Sequence, residues 1–270
     1  MSHPWFAGQT LPRVLAHRGF VPHDSVNVAE NSVAALAAAR AAGTVYLESD
    51  CHLTSDGVVV LFHDDDLSRV TGDPRPVADV TSRELSEIMS TRGGLATLGD
   101  ALDAFPDARF NLDVKAAAAA TEVGRLVARH ADRVLVTSFS DDRRRAALEA
   151  ARAKGGNPAT SAGSATLARI LLGAKTGLRA LARSALDSID ALQVPARHRG
   201  IRIVTPRLIA AAHEAGVEVH VWTVNDPEEM VRLVALGVDG IVSDDAALAV
   251  HTVVRGRPTG PIPGSPEHLL

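Results

Sequence analysis

The chain is poor in features that would restrict its chemistry at first sight. One cysteine, Cys51, in 270 residues excludes an internal disulfide framework and any multi-cysteine zinc or iron–sulfur site. Aromatic residues make up 3% of the chain, so core volume comes from Val, Leu, Ile and Ala. Basic and acidic residues nearly balance, 28 against 32, and no broad basic field points to a nucleic-acid partner. No apolar stretch approaches the roughly 18 residues that suit a transmembrane helix, so no transmembrane segment is expected. The first residues lack the basic and then apolar pattern of a secretory leader, and the expected location is cytoplasmic. No Gly-rich Walker or dinucleotide loop is present. No feature of the sequence sets an oligomeric state. The chain is 46% hydrophobic and 22% charged, a composition that folds. Its length suits one α/β barrel of about 250 residues.

Short apolar runs alternate with longer Ala-rich segments. Expected strands lie at 13–17, 45–50, 58–63, 109–115, 133–139, 191–194, 217–223 and 239–243, with a short one near 158–162. Expected helices lie at 32–42, 98–105, 116–130, 141–154, 167–186, 206–215 and 227–236. Such alternation of Val/Ile/Leu-rich strands with helices predicts βαβ units and a parallel sheet. Asn31 is a cap candidate for the first helix. Gly43, Gly216 and Gly237 follow helical segments, where a left-handed C-cap favours glycine. Two regions break the alternation. Residues 64–97 are polar and turn-rich and read as an insertion between strands. Residues 255–270 hold four Pro and three Gly and read as an irregular tail. The expected organisation is one barrel domain over 13–254 followed by that tail.

Charge inside strands is the informative anomaly. In Val45–Asp50, Glu48 and Asp50 are two apart and share a face; in Phe110–Lys115, Asp113 and Lys115 do the same. The opposite, helix-facing side is expected to hold Tyr46 or Leu47, Leu112 and Val114. The charges then point to the barrel axis, where burial requires pairing or a cation. Two arrangements satisfy this: a buried carboxylate–lysine network, or a hard divalent ion held by oxygen. His17 and His63 each close an apolar strand. At the C-terminal rim of a parallel barrel, such a pair can work as general acid and general base. Arg18 offers a fork for a phosphate or a carboxylate, and Trp222 an amphipathic wall. His220 reads as structural, and Cys51 as a small buried apolar residue.

Ordered motifs tie these residues together: Leu15-Ala-His-Arg-Gly19, Ala29-Glu-Asn-Ser32, Leu47-Glu-Ser-Asp50, Leu53-Thr-Ser-Asp-Gly57, Val60-Leu-Phe-His-Asp64, Leu67-Ser-Arg-Val-Thr71, Asn111-Leu-Asp-Val-Lys115, Val221-Trp-Thr-Val-Asn225 and Gly237–Asp244. In this order the chain resembles the glycerophosphodiester phosphodiesterase family from about Arg13 to Ala249. The resemblance implies a (β/α)₈ TIM barrel with a small insertion between strands. It implies His17 and His63 as the acid/base pair, and one divalent cation, Mg²⁺ or Ca²⁺ with Mn²⁺ as a variant, on Glu48, Asp50 and Asp113. It implies Arg18 and Lys115 on the phosphate, Trp222 beside the glycerol, and Glu30 in a supporting position. The implied substrate is a small-molecule glycerophosphodiester, cleaved to glycerol 3-phosphate and an alcohol.

Three positions depart from the family pattern. Asp113 stands where the family usually has Glu, so the side chain is one methylene shorter. Val28-Ala29 stands for Ala-Pro, and Ser49 and Cys51 replace apolar neighbours. Two other readings are compatible with the same residues. One is a lysophospholipase D-like or sphingolipid phosphodiesterase, which predicts an apolar lip. The other is a non-catalytic phosphodiester-binding protein, which the intact polar set opposes.

Overall fold

A computed structural model of the chain describes residues 3–256. The strands among the described residues are β1 (Arg13–Ala16), β2 (Tyr46–Leu53), β3 (Val59–Leu61), β4 (Arg109–Val114), β5 (Val134–Thr137), β6 (Ala159–Thr160), β7 (Ala191–Pro195), β8 (Arg197–His198), β9 (Ile201–Arg202), β10 (Glu218–Trp222) and β11 (Gly240–Ser243). The helices are α1 (Val33–Ala41), α2 (Ser68–Thr71), α3 (Ser82–Met89), α4 (Leu98–Ala104), α5 (Ala120–Val127), α6 (Asp141–Arg152), α7 (Ser164–Thr176), α8 (Arg179–Leu186), α9 (Pro206–Glu214), α10 (Pro227–Ala235) and α11 (Ala246–Ala249). Most of the expected irregular tail, from 257 on, lies outside the described residues.

Eight strands pair in parallel in the order β6-β5-β4-β2-β1-β11-β10-β7, and a bridge between Ser161 and Ala191 joins the two ends. Each strand therefore lies beside its neighbours in the winding, as a right-handed βαβ repeat closes. The result is the expected (β/α)₈ barrel. Leu47, Leu112 and Val114 pack outward in the helix-side core, as their period-two alternation with Glu48 and Asp113 requires.

Tyr46 is a correction to the sequence expectation. It shares parity with Glu48 and Asp50, so it faces the barrel interior, where it packs with Trp5, Phe6 and Leu15. Trp5 reaches this place from a 3₁₀ turn at Pro4–Phe6 that no periodicity marks. Fully buried, it donates its indole N–H to the Phe110 carbonyl at 2.9 Å and plugs the barrel floor. Arg13 closes the same end. Its guanidinium pairs with both Glu218 oxygens at 2.7 Å. Burial alone would raise the Glu218 pKa, but Arg13 and then His220 reverse this and hold it down to about 2. His220 is fully buried against Glu218 at 3.1 Å, in line with its structural reading.

Three further expectations change. The segment 58–63 is not a barrel strand: β3 pairs antiparallel with β2, Cys51 opposite Leu61. β2 overshoots the rim, turns at Gly57 and comes back. The helix expected over 167–186 is two helices, broken at Gly177, whose φ of +76° a β-carbon would disfavour. Asn31 does not cap α1. Ser32 does, accepting from the Ala35 N–H at 3.1 Å, and Asn31 is left for the site. The insertion packs Leu67, Val77 and Leu85 against Val60 and Phe62 of the β3 segment, and a capping box at Thr81 and Glu84 starts its α3 helix.

Helices α5 and α6 meet at backbone contact. A β-carbon on Gly124 would stand 2.1 Å from the Ala147 carbonyl oxygen. Gly124→Ala is therefore expected to cost about 1–3 kcal/mol through overpacking, read as a lower urea midpoint with an unchanged slope.

Candidate active site

The chain turns sharply after β1 to carry two site residues. His17 follows the last β1 residue, and its N–H is tied to the Ser243 carbonyl of β11 at 2.9 Å. Arg18 then adopts φ +56°, which aims its backbone N–H at Glu48 Oε2, 2.9 Å away. Gly19 is required next: a β-carbon there would lie 2.7 Å from the Ala35 backbone of α1. From β2 come Glu48 and Asp50, both buried, from β4 Asp113, and directly after β4 Lys115. Asp50 and Asp113 are register partners on adjacent strands, a like-charge pairing that needs compensation. Lys115 supplies it, its Nζ 3.0 Å from Asp50 and 2.7 Å from Asp113. Burial works against charge on Lys115, but the two carboxylates overcome it and raise its pKa.

The β2–β3 hairpin explains His63. Because β3 runs back toward the rim, His63 ends near the Asp50 level rather than beyond it, with the Phe62 N–H on the Asp50 carbonyl at 2.9 Å. His17 and His63 thus line one cavity of about 600 Å³, together with Arg18, Glu48, Asp50, Asp113, Lys115 and Trp222. Every candidate residue read from the sequence except Glu30 borders this cavity. Glu30 borders an adjoining hollow of about 790 Å³ that also touches His17 and Arg18.

Each histidine has a carboxylate partner that the sequence reading did not single out. His17 Nδ1 lies 2.6 Å from Asp244 Oδ1, and Asp244 is braced by Asn225 at 2.6 Å. His63 Nδ1 lies 2.6 Å from Asp64 Oδ1. With Nδ1–H donating to a carboxylate, Nε2 is the atom left for chemistry on both rings. The His17 Nε2 is 4.0 Å from Glu48 Oε2. Burial opposes a charge on His17, but the bond to Asp244 and the Glu48 charge prevail and its pKa rises.

A chain of ion pairs links the two halves of the site. Asp64 accepts from Arg69 at 2.6 Å, Arg69 reaches Glu30 at 2.6 Å, Glu30 accepts from Arg18 at 2.9 Å, and Arg18 Nε stands 3.4 Å from Asp50. Asn31 holds Asp50 from beneath, with Nδ2 donating at 3.1 Å. Burial would raise the Glu30 pKa, but Arg69 and Arg18 lower it, so it stays ionised. The signal for Asp64 and Asp244 was present in the sequence as acidic residues directly after strand ends.

Whether a cation suits this site rests on the carboxylates. Burial and then the Asp50 charge push the Glu48 carboxyl up to about 7. Asp113 is also raised, chiefly by burial, and its Oδ1 is buried without a hydrogen-bond partner. Three carboxylates with an unsatisfied buried oxygen are short of positive charge, and an all-oxygen donor set suits a hard divalent ion. Among the described residues no three His, Cys, Asp or Glu side chains are closed into a ligand shell; Lys115 bridges two of the carboxylates instead.

Trp222 forms one wall of the cavity and meets Phe139 edge to face, ring centroids 5.8 Å apart. The Lys115 ammonium lies 5.5 Å from the Phe139 centroid. Phe139, just after β5, was missed because one aromatic carries no period.

Comparison with known proteins adds an independent line. The chain is 37% identical over 248 residues to a probable glycerophosphodiester phosphodiesterase 2 of Mycobacterium tuberculosis, covering 90% of this chain and 91% of that one. It is 26% identical to a glycerophosphodiester phosphodiesterase of Caldanaerobacter subterraneus, covering 90% and 98%. Among solved structures, a glycerophosphodiester phosphodiesterase of Thermotoga maritima superposes with a TM-score of 0.68 at 25% identity, over 90% of this chain and 98% of that one. The fold also matches an Oleispira antarctica phosphodiesterase solved with its product sn-glycerol-3-phosphate, TM-score 0.67 at 23% identity over 90% and 96%. The glycerophosphoryl diester phosphodiesterase family model matches residues 17–248, the span that holds both histidines, all three carboxylates and Asp244. By this match and by its barrel, the chain belongs to the glycerophosphoryl diester phosphodiesterase family.

Proposed function

We propose that the protein hydrolyses glycerophosphodiesters to glycerol 3-phosphate and an alcohol, with His17 and His63 as the acid/base pair. The observation that carries this reading is the pair of rim histidines, each oriented by its own carboxylate, facing one cavity beside a carboxylate cluster. One Nε2 takes the proton of the attacking hydroxyl, from water or from the glycerol 2-hydroxyl. The other gives a proton to the departing alkoxide. Asp244 and Asp64 keep both rings in the tautomer that leaves Nε2 free.

Glu48, Asp50 and Asp113 would hold one divalent cation, Mg²⁺ or Ca²⁺, or Mn²⁺. When bound, it supplies positive charge that offsets charge developing on the phosphoryl oxygens. Arg18 and Lys115 add to that charge from the protein side, and their present pairing with carboxylates keeps both aimed at the cavity. Asp113 and Trp222 complete the roles proposed here: Asp113 as the shorter ligand, Trp222 as the wall beside the glycerol. Glu30 acts through Arg18 and Arg69 by holding them in place.

The test is choline release from glycerophosphocholine. Activity is expected with Mg²⁺, Ca²⁺ or Mn²⁺, loss by about 10²-fold or more on EDTA treatment, and recovery when the cation is returned. Turnover unaffected by EDTA would remove the cation from the account. No turnover of any glycerophosphodiester with any of the three cations would remove the function.

A further inference from the structure

The interior of a (β/α)₈ barrel is ordinarily filled by branched apolar side chains. Below this cavity one side of the interior is polar instead. A hydrogen-bonded file of side chains runs up from the barrel floor through Arg13, Glu218, His220 and Gln193. There it divides, to Asn111 on one side and to Ser161 and Thr137 on the other. Asn111, Thr137 and Gln193 border the cavity. The acid/base and carboxylate roles assigned above use none of the three.

Each bond in the file sets the direction of the next. Glu218, ionised beside Arg13, can only accept, so the His220 Nε2 at 3.1 Å carries a proton. The His220 Nδ1 is then the acceptor for Gln193 Nε2, 3.3 Å away. The same amide nitrogen donates to Asn111 Oδ1 at 3.0 Å. The Gln193 carbonyl oxygen, turned the other way, accepts from Ser161 Oγ at 3.3 Å. Ser161 has no second proton, so Thr137 donates to it at 2.6 Å. The file thus meets the cavity in two fixed senses. Asn111 presents its Nδ2 as a donor, and Thr137 keeps its Oγ1 lone pairs as acceptors. Asn111 is 2% exposed, and its Nδ2 has no hydrogen-bond partner among the described residues. A buried amide left half-satisfied beside a cavity is a place for a ligand oxygen.

Depth and chemistry narrow the choice of that oxygen. Asn111 precedes Asp113 by two residues on the same face of β4, so it lies roughly 7 Å deeper than the carboxylate and Lys115 end. Thr137 stands opposite Asp113 on β5 and therefore diagonal to Asn111. Trp222 follows His220 by two residues on β10 and shares its face, above the file. A phosphoryl oxygen can only accept and would leave Thr137 unused. A hydroxyl can accept from Asn111 and donate to Thr137. In glycerol phosphate the group farthest from phosphorus is the terminal hydroxyl. We infer that Asn111 and Thr137, held in these senses by the file below them, bind the terminal hydroxyl of the substrate's glycerol and select for it. This inference rests on the proposed function and adds to it the residues that recognise a free glycerol end.

The experiment compares glycerophosphocholine with 2-hydroxypropyl phosphocholine, in the presence of the divalent cation. The analogue lacks the terminal hydroxyl but keeps the secondary one beside the phosphate, so an attacking hydroxyl is not lost with it. A site built to hydrogen-bond a hydroxyl rejects an analogue without it, and the wild type is expected to prefer glycerophosphocholine by about 10²-fold in kcat/KM. Asn111→Ala is expected to bring that preference below about tenfold, and the isosteric Thr137→Val to lower it by at least about threefold. A folding defect alone would lower both activities together and leave their ratio unchanged. Equal kcat/KM for the two substrates in the wild type, or a wild-type ratio in either variant, would overturn the hydroxyl subsite while the phosphodiesterase reading stands. Hydrolysis of neither substrate by the wild type would overturn both.

Discussion

Replacing His17 or His63 by alanine is expected to lower kcat/KM for glycerophosphocholine by about 10²–10⁴-fold, the range supplied by a general acid or base. The two losses should not multiply in the double variant, since residues that act as one unit fall together. Stability should change little, because both rings are partly open to the cavity, His17 at 19% and His63 at 30% side-chain exposure. Asp244→Asn keeps the ring in place but weakens the hold on its tautomer. It is expected to lower kcat more than it raises KM, whereas a merely structural Asp244 would leave that ratio unchanged. Steady-state kinetics on the folded variants, checked by circular dichroism, read all three. Activity near wild type in both single histidine variants would contradict the acid/base assignment.

Lys115→Met carries the second large effect. Asp50 is 2% and Asp113 6% exposed; the Lys115 ammonium sits between them, and the other cation near Asp50 is Arg18, whose Nε is 3.4 Å away. Removing one partner from a buried ion pair costs about 3–5 kcal/mol. That cost is expected at neutral pH in urea unfolding without added cation. It should shrink as pH falls, because protonating one carboxylate relieves the pair: the variant's folded state binds the extra proton more tightly than its unfolded state, so acid favours folding. Added Mg²⁺ or Ca²⁺ should restore part of the stability. Activity should fall at least about 10²-fold, since the same ammonium faces the phosphate end of the cavity. A deficit that is constant from neutral to acid pH would show that Lys115 does not compensate Asp50 and Asp113.

Much of the barrel was legible because barrel rules are local. Period two in Tyr46–Cys51 places Glu48 and Asp50 on one face, and a Gly after α1, α9 and α10 marks where the next strand begins. What stayed hidden was set by pairing over long distance. Nothing within Val58–His63 says that it turns back along β2 instead of running parallel; only the register of Cys51 with Leu61 does. Tyr46 is different: its inward face follows from the parity it shares with Glu48 and Asp50, and Trp5 and Arg13 at the floor supply its partners. Asn31 looked like a cap because capping is the commonest local use of that residue. It was released to Asp50 by Ser32, one position on. The candidate site was legible through its charged strand ends, whereas its supports, Asp64, Asp244 and Asn225 from loops and Arg69 from the one-turn α2, approach it in a way that depends on the closed barrel.

The most direct measurement is hydrolysis of glycerophosphocholine in ¹⁸O-enriched water with a divalent cation present, followed by ³¹P NMR and mass spectrometry of both products. The account predicts glycerol 3-phosphate carrying the label on phosphorus and unlabelled choline, formed by the wild type and reduced by about 10²-fold or more in His17→Ala and His63→Ala. Absence of glycerol 3-phosphate, label in the choline oxygen, or equal rates in the histidine variants would contradict it.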